Sequence, residues 1–147
     1  MNVKGLDRVA ILVRDMDKAV HFFSEKLGIA FTELPGAEAM GMRASISLDY
    51  QMELLSPVLP LPEAAPPHIR RWAQQLKDKE SALVALSFRV KDADKAAAEA
   101  EKEGMGIEMR FDLPEIPPWS IRNLKELIIE EKDTLGIPIA FIEYERM

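Results

Sequence analysis

The stretch Val13-Arg14-Asp15-Met16-Asp17-Lys18-Ala19 recurs as Val90-Lys91-Asp92-Ala93-Asp94-Lys95-Ala96. Five of the seven residues are identical, a sixth position pairs Arg with Lys, and the offset is 77 residues. Each copy follows an apolar run and precedes an amphipathic segment that ends near a glycine, Gly28 or Gly104. Because sequence and context recur together, we interpret the chain as two copies of one structural module.

The first copy predicts the order strand, helix, strand, strand, strand. Residues 6–13 are rich in β-forming side chains, and Asp15 is a suitable N-cap for the helix that follows. The helix has apolar side chains at helical spacing and ends at Gly28, which can adopt the left-handed C-terminal conformation. The three further strands are expected at 29–33, 43–48 and 51–55.

The second copy predicts the same order. A strand at 82–90 precedes a helix at 92–103 with Asp92 as its cap, and strands follow at 106–111, 124–129 and 137–144. Between the copies, residues 57–67 contain five prolines, which predicts an extended connector. Apolar residues from Ile69 to Leu76 then predict one short helix, with Pro67 near its start.

These elements predict an α+β fold of two tandem βαβββ modules that form one domain, 1–147, around a cavity. Module one spans 5–56, the connector with its short helix spans 57–81, and module two spans 82–147. One module alone has a sheet with one face covered by its helix and the other face bare. Two copies can bury or enclose the bare faces together, so we expect a single domain.

Composition excludes several classes of partner. The chain carries a net charge of −6 and no Lys/Arg cluster, so we expect no nucleic-acid partner. No apolar run reaches the ~18 residues of a membrane helix, and residues 1–5 do not resemble a signal peptide, so we expect a cytoplasmic protein. Cysteine is absent, which excludes a disulfide framework and a thiolate nucleophile.

Alternation in the strands places several polar side chains within apolar segments. In the first strand, Val9, Ile11 and Val13 form the apolar face expected to pack under the helix, and Arg8 points the other way. The 77-residue offset places Ala85 at the position equivalent to Arg8. Glu53 and Glu143 are carboxylates inside otherwise apolar strands, at equivalent places in the two copies. A buried carboxylate needs a partner, so we expect a cation near them.

Three stretches resemble one known superfamily. Residues 6–15 with the helix that contains Phe22 and Phe23 resemble the opening of vicinal oxygen chelate proteins, which include glyoxalases, bleomycin-resistance proteins and dioxygenases. Residues 52–57 and 124–137 resemble the fourth strand and the last hairpin of its methylmalonyl-CoA epimerase branch. The resemblance implies the paired βαβββ fold, a small-molecule ligand and a homodimer.

The resemblance also implies four positions that hold a divalent ion in metal-dependent members. Carried over singly, the fourth-strand and eighth-strand positions are Glu53 and Glu143, and both match the pattern. The first-strand and fifth-strand positions, which are usually His, are Arg8 and Ala85, and both depart from it. Arginine stays protonated and cannot coordinate a cation. We therefore expect no metal and no other cofactor, and we expect Arg8 to pair with Glu53, Glu143 or both.

Our leading interpretation is a glyoxalase-like small-molecule-binding protein with a degenerate metal site. Its ligand is expected to be a small, partly apolar anion near Arg8. If the protein is an enzyme, it is an isomerase or lyase acting next to a carbonyl, with Glu53 or Glu143 as base and Arg8 as anion stabiliser. Two alternatives stay open: a metal-dependent isomerase, lyase or dioxygenase with His68 completing the site, and a non-catalytic sequestering protein of the drug-resistance type.

The remaining candidates have simpler interpretations. His21 is expected at the surface of the first helix, and His68 at the exposed start of the connector helix. Met40, Met42 and Trp119, with the prolines at 114, 117 and 118, are expected in loops. Such loops either line the rim of a pocket or simply pack against the core.

Overall fold

In the computed structural model the chain forms two compact units. One comprises residues 10–84 (the N-terminal unit), and the other comprises residues 1–9 and 85–147 (the C-terminal unit). The structure describes residues 1–82 and 85–147 in full, and 83 and 84 only by the strand that runs through them. The connector 57–81 is thus part of the N-terminal unit, and the first strand, β1 (Val3–Val13), contributes to both units. The expected single domain stays a prediction.

The N-terminal unit has the element order expected from the first copy and the connector. After β1 come α1 (Met16–Leu27), β2 (Thr32–Glu33), β3 (Met42–Ser47), β4 (Met52–Pro57) and α2 (Pro67–Gln75). Its strands lie in the order β2-β3-β4-β1, with β2 and β4 antiparallel to β3. The second strand is shorter than the predicted 29–33, because only Thr32 and Glu33 pair with β3.

The C-terminal unit contains the second copy. It contains β5 (Ser81–Val90) from residue 85 onwards, and all of α3 (Ala93–Lys102), β6 (Ile107–Ile116), β7 (Ile121–Ile129) and β8 (Ile139–Arg146). The strand order is β1-β5-β8-β7-β6, with β8 parallel to β5 and antiparallel to β7. The core of this unit forms where Ala93 and Ala96 of α3 pack on Leu127 and Phe141.

The repeated helix caps are confirmed. The Asp15 carboxylate accepts a hydrogen bond from the Lys18 backbone N–H at 3.1 Å, and Asp92 accepts the equivalent bond from Lys95 at 3.0 Å. Gly28 ends α1 in the left-handed conformation, at φ 68°. Each cap satisfies an N–H group of the first turn that lacks a helical partner.

No helix in the described part of the chain is long and apolar enough to cross a membrane.

The helix-facing side of β1 is confirmed for two of its three predicted residues. Ile11 and Val13 pack with Met16 of α1 and with Leu54 of β4, whereas Val9 is half-buried outside this cluster. Burial of such aliphatic side chains contributes ~1.5–3 kcal/mol each. The cluster therefore fixes which face of β1 and β4 lies against α1.

The predicted surface position of His68 is wrong. His68 is buried, and its ring packs edge-on against Trp72 with the ring centroids 5.0 Å apart. The two residues are four apart in α2 and therefore share one helix face, together with the buried Ile69. A histidine at the first turn is buried here because the apolar face of α2 begins at that turn. His21 lies at the surface of α1, as predicted.

Two of the predicted loops are regular structure. Met42 begins β3 and is buried, and β6 extends through Pro114 to Ile116, because its pairing with β7 continues as far as Ile121. Proline is tolerated there, since β6 is an edge strand. Trp119 lies in a short 3-10 helix and is buried, so it packs in the core and does not line an open rim.

Candidate functional site

Five polar side chains meet in the C-terminal unit and form a cluster that we call the Arg8 cluster. They come from four strands: Asp7 and Arg8 from β1, Arg89 from β5, Glu126 from β7 and Tyr144 from β8. Two are guanidinium groups, two are carboxylates and one is a phenol. The formal charges of the cluster cancel, which is the condition under which charged groups tolerate burial.

The Arg8 guanidinium is the cation of this cluster that lies deepest. Its side chain is 4% exposed, and Nη1 donates a hydrogen bond to Oδ2 of Asp7 at 2.9 Å. Its Nη2 lies 3.7 Å from Oε1 of Glu126. Asp7 and Glu126 were not among the predicted partners of Arg8, which were Glu53 and Glu143.

Asp7 is the carboxylate that most of the cluster contacts. Its other oxygen, Oδ1, accepts a hydrogen bond from the Tyr144 hydroxyl at 2.8 Å and lies 3.6 Å from Nη1 of Arg89. Arg89 in turn stacks over the Tyr144 ring at 4.1 Å and donates to the Tyr144 carbonyl at 2.8 Å. Both oxygens of Asp7 are therefore engaged by charged or hydroxyl donors, which are the stronger class of hydrogen bond.

The Tyr144 hydroxyl stays protonated in this setting. Burial raises the pKa of Tyr144, and the neighbouring negative charge and hydrogen bond of Asp7 raise it further. The charge of Arg89 acts in the opposite direction but is a smaller effect. The phenol is thus a neutral hydrogen-bond donor at physiological pH.

Glu143 does not lie where its predicted role requires. It shares a strand face with Ile139 and Phe141, and this face packs on α3. Its carboxylate accepts the Ala93 backbone N–H at 2.7 Å, at the first residue of α3. A carboxylate there interacts favourably with the helix dipole. The structure therefore gives Glu143 a helix-capping contact rather than the expected partnership with Arg8.

Glu53 occupies a different kind of position. It is buried in β4, next to Leu54, whose side chain packs in the α1 cluster, so Glu53 lies on the face turned away from α1. Glu53 and Glu143 thus occupy opposite faces relative to the helix of their own unit, and the expected equivalence is wrong. Both faces of β8 carry buried apolar side chains, so alternation alone did not show which of them meets α3. The pairing of Arg8 with Glu53 stays a prediction.

A small cavity opens beside Arg89 and Tyr144. Its volume is about 310 Å³, and three cationic side chains line it, those of Lys4, Arg89 and Lys91. Two carboxylates also line it, but Glu143 is held by Ala93, and Glu145 pairs with Arg122 at 2.9 Å. Excess positive charge in a small concave site favours an anionic ligand. We call this the Arg89 cavity.

The side chains at the expected metal positions do not fit a metal ion. Arg8 offers only donors, Ala85 offers no ligand atom, and Glu143 is bound to α3. Within the described ranges, no group of three or more His, Cys, Asp or Glu side chains is arranged to hold a metal. The chemistry of these donors suits an ion-pair network and not metal coordination.

One signal in the sequence points to two of the residues that were missed. Asp7 and Glu126 are acids inside strand segments, as Glu53 is, although each has one charged neighbour, Arg8 or Lys125. Tyr144 carried no signal of a functional site in the sequence, because tyrosine is common in strands. Arg89 alternates onto the same strand face as Ala85, but nothing local connects it to Asp7.

The sequence model of the Glyoxalase/Bleomycin resistance protein/Dioxygenase superfamily matches residues 5–114. A search of curated proteins found no match. Among solved structures, methylmalonyl-CoA epimerase from Mycobacterium tuberculosis is 24% identical, with a TM-score of 0.72 over 96% of this chain and 88% of that chain. A variant of the Streptomyces coelicolor epimerase, in complex with 2-nitronate-propionyl-CoA, is 18% identical, with a TM-score of 0.69 over 96% and 97%.

A hypothetical protein from Bacillus halodurans is also similar, at 16% identity and a TM-score of 0.70 over 97% of this chain and 95% of that chain. At these identities the likeness shows the fold alone. It confirms the predicted glyoxalase-like α+β architecture over nearly the whole chain.

The raised pKa of Tyr144 predicts a specific alkaline effect on stability. Below about pH 10, tyrosine is protonated in the folded and the unfolded chain; above it, the unfolded chain releases the proton first. The wild type should therefore lose unfolding free energy as the pH rises through 10 towards the folded pKa. Tyr144→Phe should lower the unfolding free energy by about 1.5–3 kcal/mol at neutral pH. The difference in unfolding free energy between the wild type and this variant should shrink between about pH 10 and pH 11.

Urea unfolding at a series of pH values measures this difference. The exposed Tyr50 provides the matched control, because Tyr50→Phe should follow the wild type throughout. A Tyr144→Phe deficit that stays constant up to about pH 11 would show that Tyr144 ionises as readily in the folded protein as in the unfolded chain.

Proposed function

Since this chain belongs to the Glyoxalase/Bleomycin resistance protein/Dioxygenase superfamily, we propose that it binds a small, partly apolar anion without a metal ion. In this proposal the guanidinium of Arg8 takes the place that an ion has in metal-dependent members. The observation that carries the proposal is the buried contact of Arg8 with Asp7 at 2.9 Å, with Glu126 beside it.

A guanidinium supports binding differently from a metal ion. It supplies a permanent charge and directed donors, but it has no vacant coordination position for a ligand. Its charge is used here to hold Asp7, and Asp7 holds Tyr144 and Arg89. The Arg8 cluster therefore acts as the rigid support for the Arg89 cavity, where the ligand is proposed to bind.

The lining of the Arg89 cavity supports a small anion. One side of the Arg89 guanidinium stacks on Tyr144, while its side chain is still 37% exposed and can reach a ligand. Lys4 and Lys91 add exposed positive charges, and Val90 and the Tyr144 ring supply apolar surface. The volume of about 310 Å³ lies at the lower end of ligand pockets.

We also propose a second candidate function, proton transfer next to a carbonyl, as in the epimerases that share the fold. Glu53 is the preferred base because it is a buried carboxylate on the face of β4 turned away from α1. Glu143 is the weaker candidate, since the Ala93 N–H already holds its carboxylate.

Benzoate is a suitable probe for the binding function. After dialysis against a chelator, the protein should still bind benzoate, with NMR shifts at the backbone of Arg89 and Lys91, and bind the neutral benzamide more weakly. Lys91→Gln should weaken benzoate binding about three- to tenfold, whereas Lys95→Gln, which changes an exposed lysine on α3, should not. Binding that disappears after chelation and returns with a divalent ion would contradict the proposal.

Arg8→Met tests the support. The change removes the cation beside Asp7 while keeping much of the side-chain volume, and breaking a buried ion pair costs about 3–5 kcal/mol of unfolding free energy. Arg122→Met is the control, because its pair with Glu145 is more than half exposed and is worth at most about 1 kcal/mol.

Elemental analysis of the wild type, purified without chelator, should find less than one equivalent of divalent metal. Stoichiometric metal that is lost in Glu53→Gln would overturn this reading.

Deuterium exchange tests the second candidate function. In D2O, the protein should catalyse incorporation of solvent deuterium next to the thioester carbonyl of methylmalonyl-CoA. Mass spectrometry measures the deuterium that is incorporated. Glu53→Gln should lower this rate about 100-fold or more, and Glu143→Gln should change it far less. No exchange above the uncatalysed rate would leave ligand binding as the proposed function and remove this one.

A further inference from the structure

A larger groove lies in the N-terminal unit, and none of its lining residues belongs to the Arg8 cluster. Its volume is about 730 Å³, and it is formed by Arg14 after β1, the connector and α2. Its lining includes two sets of side chains. The cations are Arg14, Arg70 and Lys77, and the apolar residues of the connector are Pro57, Leu59 and Leu61.

The two arginines of this groove donate hydrogen bonds to backbone carbonyls. Arg14 donates to the carbonyls of Leu76, Lys77 and Lys79, and Arg70 donates to those of Pro62, Glu63 and Ala65. Every one of these partners is an uncharged backbone oxygen. Among the described residues that line the groove, no acid occurs, although the protein as a whole carries a net charge of −6. The groove is therefore a local region of positive potential on an acidic protein.

The same hydrogen bonds hold the walls in place. Arg14, which follows β1, donates to the carbonyls of Leu76 and Lys77 directly after α2, at the negative end of the helix dipole. Arg70 joins α2 to the connector. A groove whose shape is fixed before binding loses less conformational entropy when a ligand enters.

The apolar wall identifies the rest of the ligand. Leu59 is 71% exposed, and Pro57 and Leu61 continue the apolar surface into the groove. We propose that this groove binds a free amphipathic carboxylate, with its head at Arg14, Arg70 and Lys77 and a medium-length acyl chain along the connector. The volume of about 730 Å³ falls within the range of small-molecule sites.

Decanoate, below its micelle concentration, is the probe for this site. Titration of decanoate into the isotopically labelled protein should shift the backbone NMR signals of Leu59, Ala73 and Lys77. Decanol has the same chain length and no charge, and at the same concentrations it should produce little change. Lys77→Glu should weaken decanoate binding about tenfold. Lys79→Glu makes the same charge change at an exposed neighbour outside the lining and should leave binding within about twofold of the wild type.

Leu59→Ser tests the apolar wall without altering charge, and it should weaken decanoate about three- to tenfold. The proposal is overturned if decanol binds as tightly as decanoate, or if Lys79→Glu weakens binding as much as Lys77→Glu. It is also overturned if decanoate causes no saturable shifts, or if the protein binds only anionic phospholipid vesicles. Lys91→Gln should leave decanoate binding unchanged, so this site and the Arg89 cavity can fail independently.

Discussion

The buried contact between Asp7 and Arg8 is the constraint on which the C-terminal unit depends. The two side chains belong to adjacent residues of β1 and are each 4% exposed. Removing both charges from water carries a penalty of several kcal/mol per ion, and one contact does not offset it. Tyr144, Arg89 and Glu126 supply the further partners from three other strands. The register of these strands is therefore tied to the ion pair as well as to the apolar core.

This arrangement changes what the fold can do chemically. A divalent ion accepts ligands, exchanges them and polarises a carbonyl. A guanidinium only donates hydrogen bonds, and in Arg8 those donors face Asp7 and Glu126. The positive charge that is open to a ligand is then that of Arg89, which Asp7 and Tyr144 hold at the edge of the cluster. The proposed binding function follows from this division between a buried supporting arginine and a half-exposed one.

Net charge is a poor guide to the ligands of this protein. The chain is acidic, yet both cavities discussed above are lined by three cationic side chains. In the groove of the N-terminal unit, the arginines hydrogen-bond to neutral carbonyls and keep their charge. In the Arg89 cavity, the lining acids are engaged by a helix N-terminus or by another arginine. The electrostatic potential at each site depends on these local partners, which the net charge of the sequence does not describe.

The features that depend on neighbours along the chain follow from the amino-acid sequence alone. The repeat, both aspartate caps, the glycine that ends α1 and the proline at the start of α2 are all local signals, and all are present in the structure. The helix-facing side of β1 also followed from strand alternation, as Ile11 and Val13 show. The departure of Arg8 from the family's metal pattern was equally visible, because it needs only the identity of one residue.

The partners of these residues depend on packing between segments that are distant in the chain. Asp7 and Tyr144 are 137 positions apart in the chain, and no local pattern brings them to 2.8 Å. The strands of Glu53 and Glu143 look alike in sequence, but one carboxylate faces away from its helix and the other caps α3. The position of His68 at the start of a helix predicts an exposed side chain, but the packing of α2 buries it beside Trp72. Alternation and spacing specify that two faces exist, whereas packing between distant segments specifies what each face meets.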